Sequence, residues 1–356
     1  MTPVRGRRIT LVVVVAVILV LSGALAGCSG EKKQTLKVFN ADSLMVPFEA
    51  LAIEFEAEHP GVDVQIEGHG SIQVIRHATE LHDEVDVLAV ADYSLIPMLM
   101  YDTKVPDTDE DYADWYVIFA TNELGLAYTP QSKYADEISS TNWYEVLSRP
   151  DVTVALSDPR FDSSGYRALM ACQLAELYYG NATIFEDVLG NSSPPITVDA
   201  LDGMYTITVP EVLKSPKLTI RGTSIALLST IESGDVDYAF MYKSVAVQHG
   251  LKLLELPGEI NLSSDSYKML VQGLVVKLQF QRFASVNPEF ECLPILYAVT
   301  IPQNTAKPEL AVEFVKFLLG PEGQRILPEQ NQPPVLPAYA DRPDLLPSEL
   351  KPLVAE

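Results

Sequence analysis

Strand and helix signals alternate along this chain, and that alternation limits the fold more than any other feature. Leu36 to Phe39 is a short apolar run, Asn40-Ala41-Asp42-Ser43 is turn chemistry, and Val46 to His59 carries Val46, Phe48, Leu51, Ile53 and Phe55 at helical spacing. Pro60-Gly61 stops that helix. Val62 to Ile66 alternates as a strand, Gly68 to Ser71 is a loop, Ile72 to Leu81 is helical, and Val85 to Val90 reads as a buried strand. Strands alternating with helices predict an α/β lobe around a mostly parallel sheet. Ligands of such sheets sit beyond the carboxyl ends of the strands, where Asn40 to Ser43 and Gly68 to Ser71 fall.

The pattern then repeats. Tyr116 to Ala120 and Leu124 to Tyr128 read as strands in tandem that carry the chain out of the first lobe. Val152 to Leu156 is a strand, Ser164 to Tyr179 and Ser224 to Ser233 are helices, and Val236 to Met241 is a strand. Leu274 to Phe280 and Ile295 to Ile301 read as strands, and Pro308 to Leu319 as an amphipathic helix, with a Pro-rich tail from Pro328 expected to wrap the surface. A 356-residue chain is longer than one core usually supports, so two lobes are expected.

The N-terminus reads as an export signal. Arg5, Arg7 and Arg8 precede an apolar stretch from Ile9 to Gly27. It ends in Leu25-Ala26-Gly27-Cys28, which resembles a lipobox with Cys28 as the lipidated residue; an uncleaved membrane anchor is the alternative. Residues 1–28 are thus read as a lipoprotein signal and 29–34 as a polar leash, with the remainder on the outer face of the membrane. A net charge of −23, from 48 acids against 25 bases, argues against a nucleic-acid partner and against docking on anionic lipid. Cys172 and Cys292 allow either one disulfide or two separate thiols.

Several stretches together resemble a substrate-binding protein of an ABC importer, in its tungstate/molybdate-binding branch. They are Phe39 to Leu44 (FNADSL), Gly68 to Ser71 (GHGS), Asp86 to Pro97, Ser157 to Arg167 (SDPRFDSSGYR), Glu232 to Ala246 and Phe317 to Leu327. The resemblance implies a type II periplasmic-binding fold with two α/β lobes and two hinge crossings, near Phe119 to Ala127 and near Tyr297 to Ile301. Residues 35–120 and 298–356 then form one lobe, 121–297 the other, and the ligand cleft lies between them. It further implies a monomer that captures tungstate or molybdate, needs no cofactor, and hands its cargo to a permease. A tether at Cys28 suits an envelope without an outer membrane.

A dianion entering a cleft loses its hydration and must regain it from aimed donors. Nanomolar binding needs about −12 kcal/mol, and a hydrogen bond to a charged group nets roughly 1.5 to 3 kcal/mol. About five to seven donors must therefore converge. By resemblance the first lobe supplies Ser43 and Ser71, each before a helix, and the second supplies the Ser163 to Gly165 region with Ser164, the Thr223 to Ile225 region with Ser224, and Tyr242. Asp162 needs its own account, because a carboxylate 4 Å from another charge is repelled by about 4 kcal/mol at an effective dielectric near 20. It is protonated, or caps the following helix, or binds the metal of the oxyanion. The resemblance implies the last, with a glutamate from a second helix completing six oxygens. This chain departs there: Ile220 to Leu228 (IRGTSIALL) contains no acid, and Ser224 stands at the glutamate position. Four or five oxygens around the metal are expected instead.

Catalysis is not expected. No HExxH, GxSxG, Walker or Rossmann glycine pattern is present, and His59, His69, His77, His82 and His249 show no metal-ligand spacing. A lipid-anchored sensor on the same fold, or a binding protein for sulfate, phosphate, iron or an organic anion, are the remaining alternatives.

Overall fold

The computed structural model describes residues 33–190, 192–279 and 289–355. Cys28 and most of the leash lie outside them. Among the described residues no helix is long and apolar enough to cross a membrane.

Two main sheets organise the chain. The first has six strands in the order Pro334–Ala340, Val117–Thr121, Leu296–Thr300, Val87–Val90, Gln34–Ala41 and Val62–His69. The second has five, in the order Lys252–Glu255, Leu124–Tyr128, Tyr238–Tyr242, Val154–Ser157 and Leu218–Arg221. Three strands of each run parallel: 34–41 with 62–69 and 87–90, and 154–157 with 218–221 and 238–242. The remaining pairs are antiparallel, so neither sheet is as parallel as expected. The cause is the connection between sheets. Val117–Thr121 leaves for the second sheet, and Leu296–Thr300 returns beside it, so the two must run in opposite directions.

Only Asn122 and Glu123 separate Val117–Thr121 from Leu124–Tyr128. The returning chain passes alongside: Ile295 O accepts from Asn122 N at 3.2 Å and from Thr121 Oγ1 at 2.9 Å. The two passages thus form one narrow band.

Aromatic packing fixes each lobe. The helix Met45–Glu58 lays Phe48, Leu51 and Phe55 on the first sheet, and Phe55 meets Phe314 and Phe317 edge-on with centroids 5.2 and 5.4 Å apart. Ile53, expected on that face, is 71% exposed instead, because it lies two positions from Leu51 and Phe55, which rotates it away from both. In the second lobe Trp143 meets Phe240 edge-on at 6.1 Å.

A third sheet was not foreseen. Thr197–Leu201, Met204–Val209, Gly273–Leu278 and Glu289–Glu291 form it, with Asp202-Gly203 as a two-residue turn at positive φ. It packs on the helix Ser163–Tyr179, and its Phe290 stacks on Tyr166 at 4.3 Å. The Pro-rich tail also differs from expectation. Pro334–Ala340 is the edge strand of the first sheet, a position that tolerates proline. Cys172 and Cys292 are two free, buried thiols.

Candidate functional site

Each motif residue lies where a strand gives way to a helix. Asp42 and Ser43 follow Gln34–Ala41 in a short 3-10 turn that leads into Met45–Glu58. Ser71 opens its helix after Gly70, Asp162 is the N-cap of Ser163–Tyr179, Ser224 precedes Ile225–Glu232, and Tyr242 ends its strand. All six, with Ser163 and Ser164, are buried. Helix starts leave unbonded amides that favour negative charge, so this placement gathers donors at one locus.

Those donors are largely engaged by the protein's own carboxylates. Asp162 Oδ1 accepts from Ser164 N at 2.9 Å, and Oδ2 accepts from Ser224 N at 2.9 Å and Ser224 Oγ at 3.0 Å. Of the three accounts considered for Asp162, capping is the geometry seen here. Ser224, expected to donate to a bound anion, donates its amide and hydroxyl to Asp162 in this structure. Ser164 Oγ lies 2.6 Å from Ser157 Oγ and 2.8 Å from Ser224 Oγ. Burial pushes the Asp162 carboxyl above the usual range, against the amides that hold its charged form.

The hydroxyls are better placed to donate. Ser71 Oγ accepts from Ala91 N at 3.0 Å, which leaves its own proton for another acceptor. Ser43 Oγ is 3.1 Å from Tyr297 Oη, and Ser163 Oγ is 3.0 Å from Tyr242 Oη. Arg167 Nη1 donates to Tyr242 Oη at 2.7 Å, so the tyrosine accepts on one side and its O–H is directed elsewhere. Burial pushes the Tyr242 phenol up to about 12, and it stays a neutral donor at physiological pH.

Sequence reasoning missed four contributors. Arg167 and Asp92 are each 1% exposed at the side chain, with Nη2 and Oδ2 3.1 Å apart: ion-pair range, although Nη2 is not aligned as a hydrogen bond. Arg167 Nη1 also donates to Ala91 O at 2.7 Å, and Tyr166 donates to Asp92 Oδ2 at 2.6 Å. These bonds join the helix after Asp162 to the end of the Val87–Val90 strand, across the cleft. Asp42 is the fourth. Its Oδ2 accepts from Ile225 N at 3.1 Å, also across the cleft, and burial, then the charge of Asp162, pushes its carboxyl up to about 7. Apart from these residues, His69 and His77 gather with Glu67 despite the absence of a ligand-like spacing.

That shift has a definite sign. A folded-state value above the ordinary 3.8 means the native form holds the Asp42 proton longer than the unfolded chain does. Stability of the ligand-free protein therefore falls as pH rises from about 4 to about 7, by an amount on the order of a few kcal/mol, and then levels. Thermal unfolding across that window should show the fall, and Asp42→Asn should flatten it.

The backbones of the two lobes meet at Gly70. Ile72 N donates to Phe161 O at 3.2 Å, and a Cβ on Gly70 would lie 2.3 Å from that carbonyl oxygen. Gly70→Ala should thus oppose closure while leaving each lobe folded. The expected result is ligand affinity at least tenfold weaker, about 1.4 kcal/mol or more by calorimetry, with little change in unfolding temperature without ligand.

Two α/β lobes joined by a double crossing, with opposed hydroxyls and carboxylates at helix starts between them, define a two-lobed solute-binding protein of the type II periplasmic-binding fold. The chain belongs to the bacterial extracellular solute-binding protein family, which it matches over residues 36–330. It is 39% identical over 358 residues to the molybdate/tungstate-binding protein WtpA of Thermococcus kodakarensis, covering 95% of this chain and 94% of that one. An uncharacterized solute-binding protein of Methanoculleus marisnigri is 45% identical over 325 residues, 88% of this chain and 86% of its own. Among solved structures, the periplasmic molybdate-binding protein of Azotobacter vinelandii superposes with a TM-score of 0.52 at 16% identity, covering 85% of this chain and 99% of that one. The sulfate-binding protein SubI of Mycobacterium tuberculosis gives 0.54 at 12% identity, covering 85% and 88%. Both show the shared fold.

Proposed function

We propose that this protein is lipid-anchored through Cys28 on the outer face of the cell membrane, captures tungstate or molybdate between its lobes, and delivers it to an ABC permease. The observation that carries the cargo is the pairing of Asp162, a buried carboxylate at a helix start, with uncharged donors from both lobes: Ser43 and Ser71 on one side, Ser163 and Tyr242 on the other. Neutral donors suit a fully ionised tetrahedral dianion, and a carboxylate among them favours one whose central atom accepts a further oxygen over sulfate, whose sulfur does not. Likeness to WtpA over nearly the whole chain supports the same reading. In this role Ser164 and Ser224 hold Asp162 in place, and Arg167 polarises the Tyr242 hydroxyl.

Thermal unfolding with a panel of oxyanions tests this. Ligand at about 1,000 times its dissociation constant stabilises by about 4 kcal/mol, worth roughly 8 °C or more for lobes of this size. Tungstate and molybdate should give that shift, and sulfate and phosphate much less. A panel in which neither metal oxyanion raises the midpoint would discard the proposal. For the anchor, Cys28→Ser should release the protein from membranes into the soluble fraction.

A further inference from the structure

Between Ile220 and Leu228 the chain has no acid, yet the helix that begins there does meet a second carboxylate. It comes from the other lobe. Asp162 Oδ2 accepts from Ser224 N at 2.9 Å, and Asp42 Oδ2 accepts from Ile225 N, the very next amide, at 3.1 Å. Both carboxylates are buried, and the nearby guanidinium of Arg167 already faces Asp92, so among the described residues no ion pair balances them. Two buried carboxylates that accept from adjacent amides repel each other when both are ionised. The arrangement becomes favourable when an electrophilic centre enters between them. Sulfate presents only unprotonated oxygens outward, whereas tungsten and molybdenum in their oxyanions add oxygen ligands.

We infer that Asp42 is a specificity-determining ligand of the cargo: it supplies from the first lobe the second carboxylate that Ser224 does not provide from the second. This rests on the tungstate/molybdate reading and deepens it. Because Asp42 and Asp162 belong to opposite lobes, both reach one metal only when the cleft is shut, so closure itself completes the coordination sphere.

Calorimetry with tungstate and with sulfate on Asp42→Ala and Asp42→Asn, together with X-ray absorption at the tungsten edge, tests the assignment. Expected are a loss in tungstate affinity of tenfold or more, sulfate affinity unchanged or increased, and one oxygen fewer around tungsten. The double change Asp42→Ala with Ser224→Glu should regain tungstate binding and the missing oxygen. If Asp42→Asn tightens tungstate and sulfate alike, or changes neither, Asp42 is only a repelling neighbour and the inference is overturned. A wild-type protein that binds no metal oxyanion would instead remove the underlying reading, an outcome seen before any variant is made. Far-ultraviolet circular dichroism separates loss of binding from loss of fold.

A second cluster, on the first lobe, stands independently. Glu67 and His69 end the strand Val62–His69, and His77 lies on the helix Ser71–Thr79; one ligand atom from each falls within 4.8 Å of the others. His77 Nδ1 lies 2.7 Å from Asp83 Oδ2, the carboxylate buttress that orients a metal-binding imidazole and leaves Nε2 to the metal. Phe39 packs against both rings at 5.9 and 5.6 Å, and a cavity lined by Phe39, Glu67 and Asp83 opens beside them. The geometry points to a site for a divalent transition metal such as Zn²⁺ or Cu²⁺, with two nitrogens, one carboxylate oxygen and an open position for water. Titration of the untagged protein with Zn²⁺ should show one equivalent, lost in His69→Ala/His77→Ala and weakened about 10- to 100-fold in Asp83→Asn. Equal binding by wild type and the double variant, or none by either, would refute the site.

Discussion

Arg167→Met is expected to weaken tungstate binding by about thirtyfold or more and to lower the unfolding temperature of the ligand-free protein. The side chain is buried, and its Nη1 makes two bonds of 2.7 Å, to Ala91 O and Tyr242 Oη. Methionine fills a similar volume and carries no charge, so Asp92 is left as a buried carboxylate with only neutral partners: Tyr166 Oη, Ser94 N and Ser94 Oγ. Removing one member of a buried pair costs about 3 to 5 kcal/mol, mostly because the partner's charge stays uncompensated. Here the pair spans the cleft, so much of that cost falls on the closed, ligand-holding state. Arg167→Lys should recover little, since an ammonium group cannot reach Ala91, Asp92 and Tyr242 together. Calorimetry and thermal unfolding separate the two contributions. An affinity within threefold of wild type, with reduced stability, would show that Arg167 supports the second lobe alone and takes no part in closure.

What the sequence disclosed follows from which signals are local. Pro60-Gly61, the alternation of Val62 to Ile66 and the apolar run at Val87 are read within a few residues, and they place Ser43 and Ser71 at helix starts without any knowledge of the partner lobe. The strand direction of Leu296–Thr300 depends on a passage through more than 170 residues of the other lobe and is set by where the chain returns. Ile53 matched a hydrophobic count but not the angle of its face. Of the third sheet only Leu274 to Phe280 read as a strand; the hairpin turn at Asp202-Gly203 is flanked by Thr197–Leu201, whose side chains are mostly exposed and whose alternation is weak.

The site divides in the same way. Hydroxyl residues before helices carry their meaning locally, through turn and cap chemistry. Arg167 and Asp92 do not: an arginine in the first turns of a helix and an aspartate after a strand each look like ordinary surface charges until the fold buries them 3.1 Å apart. Asp42 was read as turn chemistry, and that local reading holds, since it opens the 3-10 turn. Its second partner, Ile225 N, lies 183 residues away and belongs to the helix whose missing acid was the main anomaly of the sequence. The anomaly and its resolution sit on opposite lobes, out of reach of any local pattern.

Asp162→Ala tests the selectivity of the cleft most directly, because its other effects are common to both anions and only the loss of an oxygen ligand to the metal separates tungstate from sulfate. Removing the carboxylate takes away a repulsion of about 4 kcal/mol at 4 Å and an effective dielectric near 20. It also frees Ser164 N, Ser224 N and Ser224 Oγ, three donors that now serve the protein's own charge. Both changes favour any dianion that binds through hydrogen bonds, so sulfate should bind more tightly. Tungstate gains the same donors but loses an oxygen to its metal. The expected outcome is a tungstate-over-sulfate preference smaller by about a hundredfold, roughly 2.7 kcal/mol between the two anions. Loss of the helix cap lowers stability by about 1 kcal/mol, too little to unfold the lobe. Asp162→Asn preserves the shape of the cap and should shift the preference in the same sense. Calorimetry with both anions on both variants decides the matter: an unchanged preference would mean that Asp162 acts on the helix alone and that selectivity arises elsewhere in the cleft.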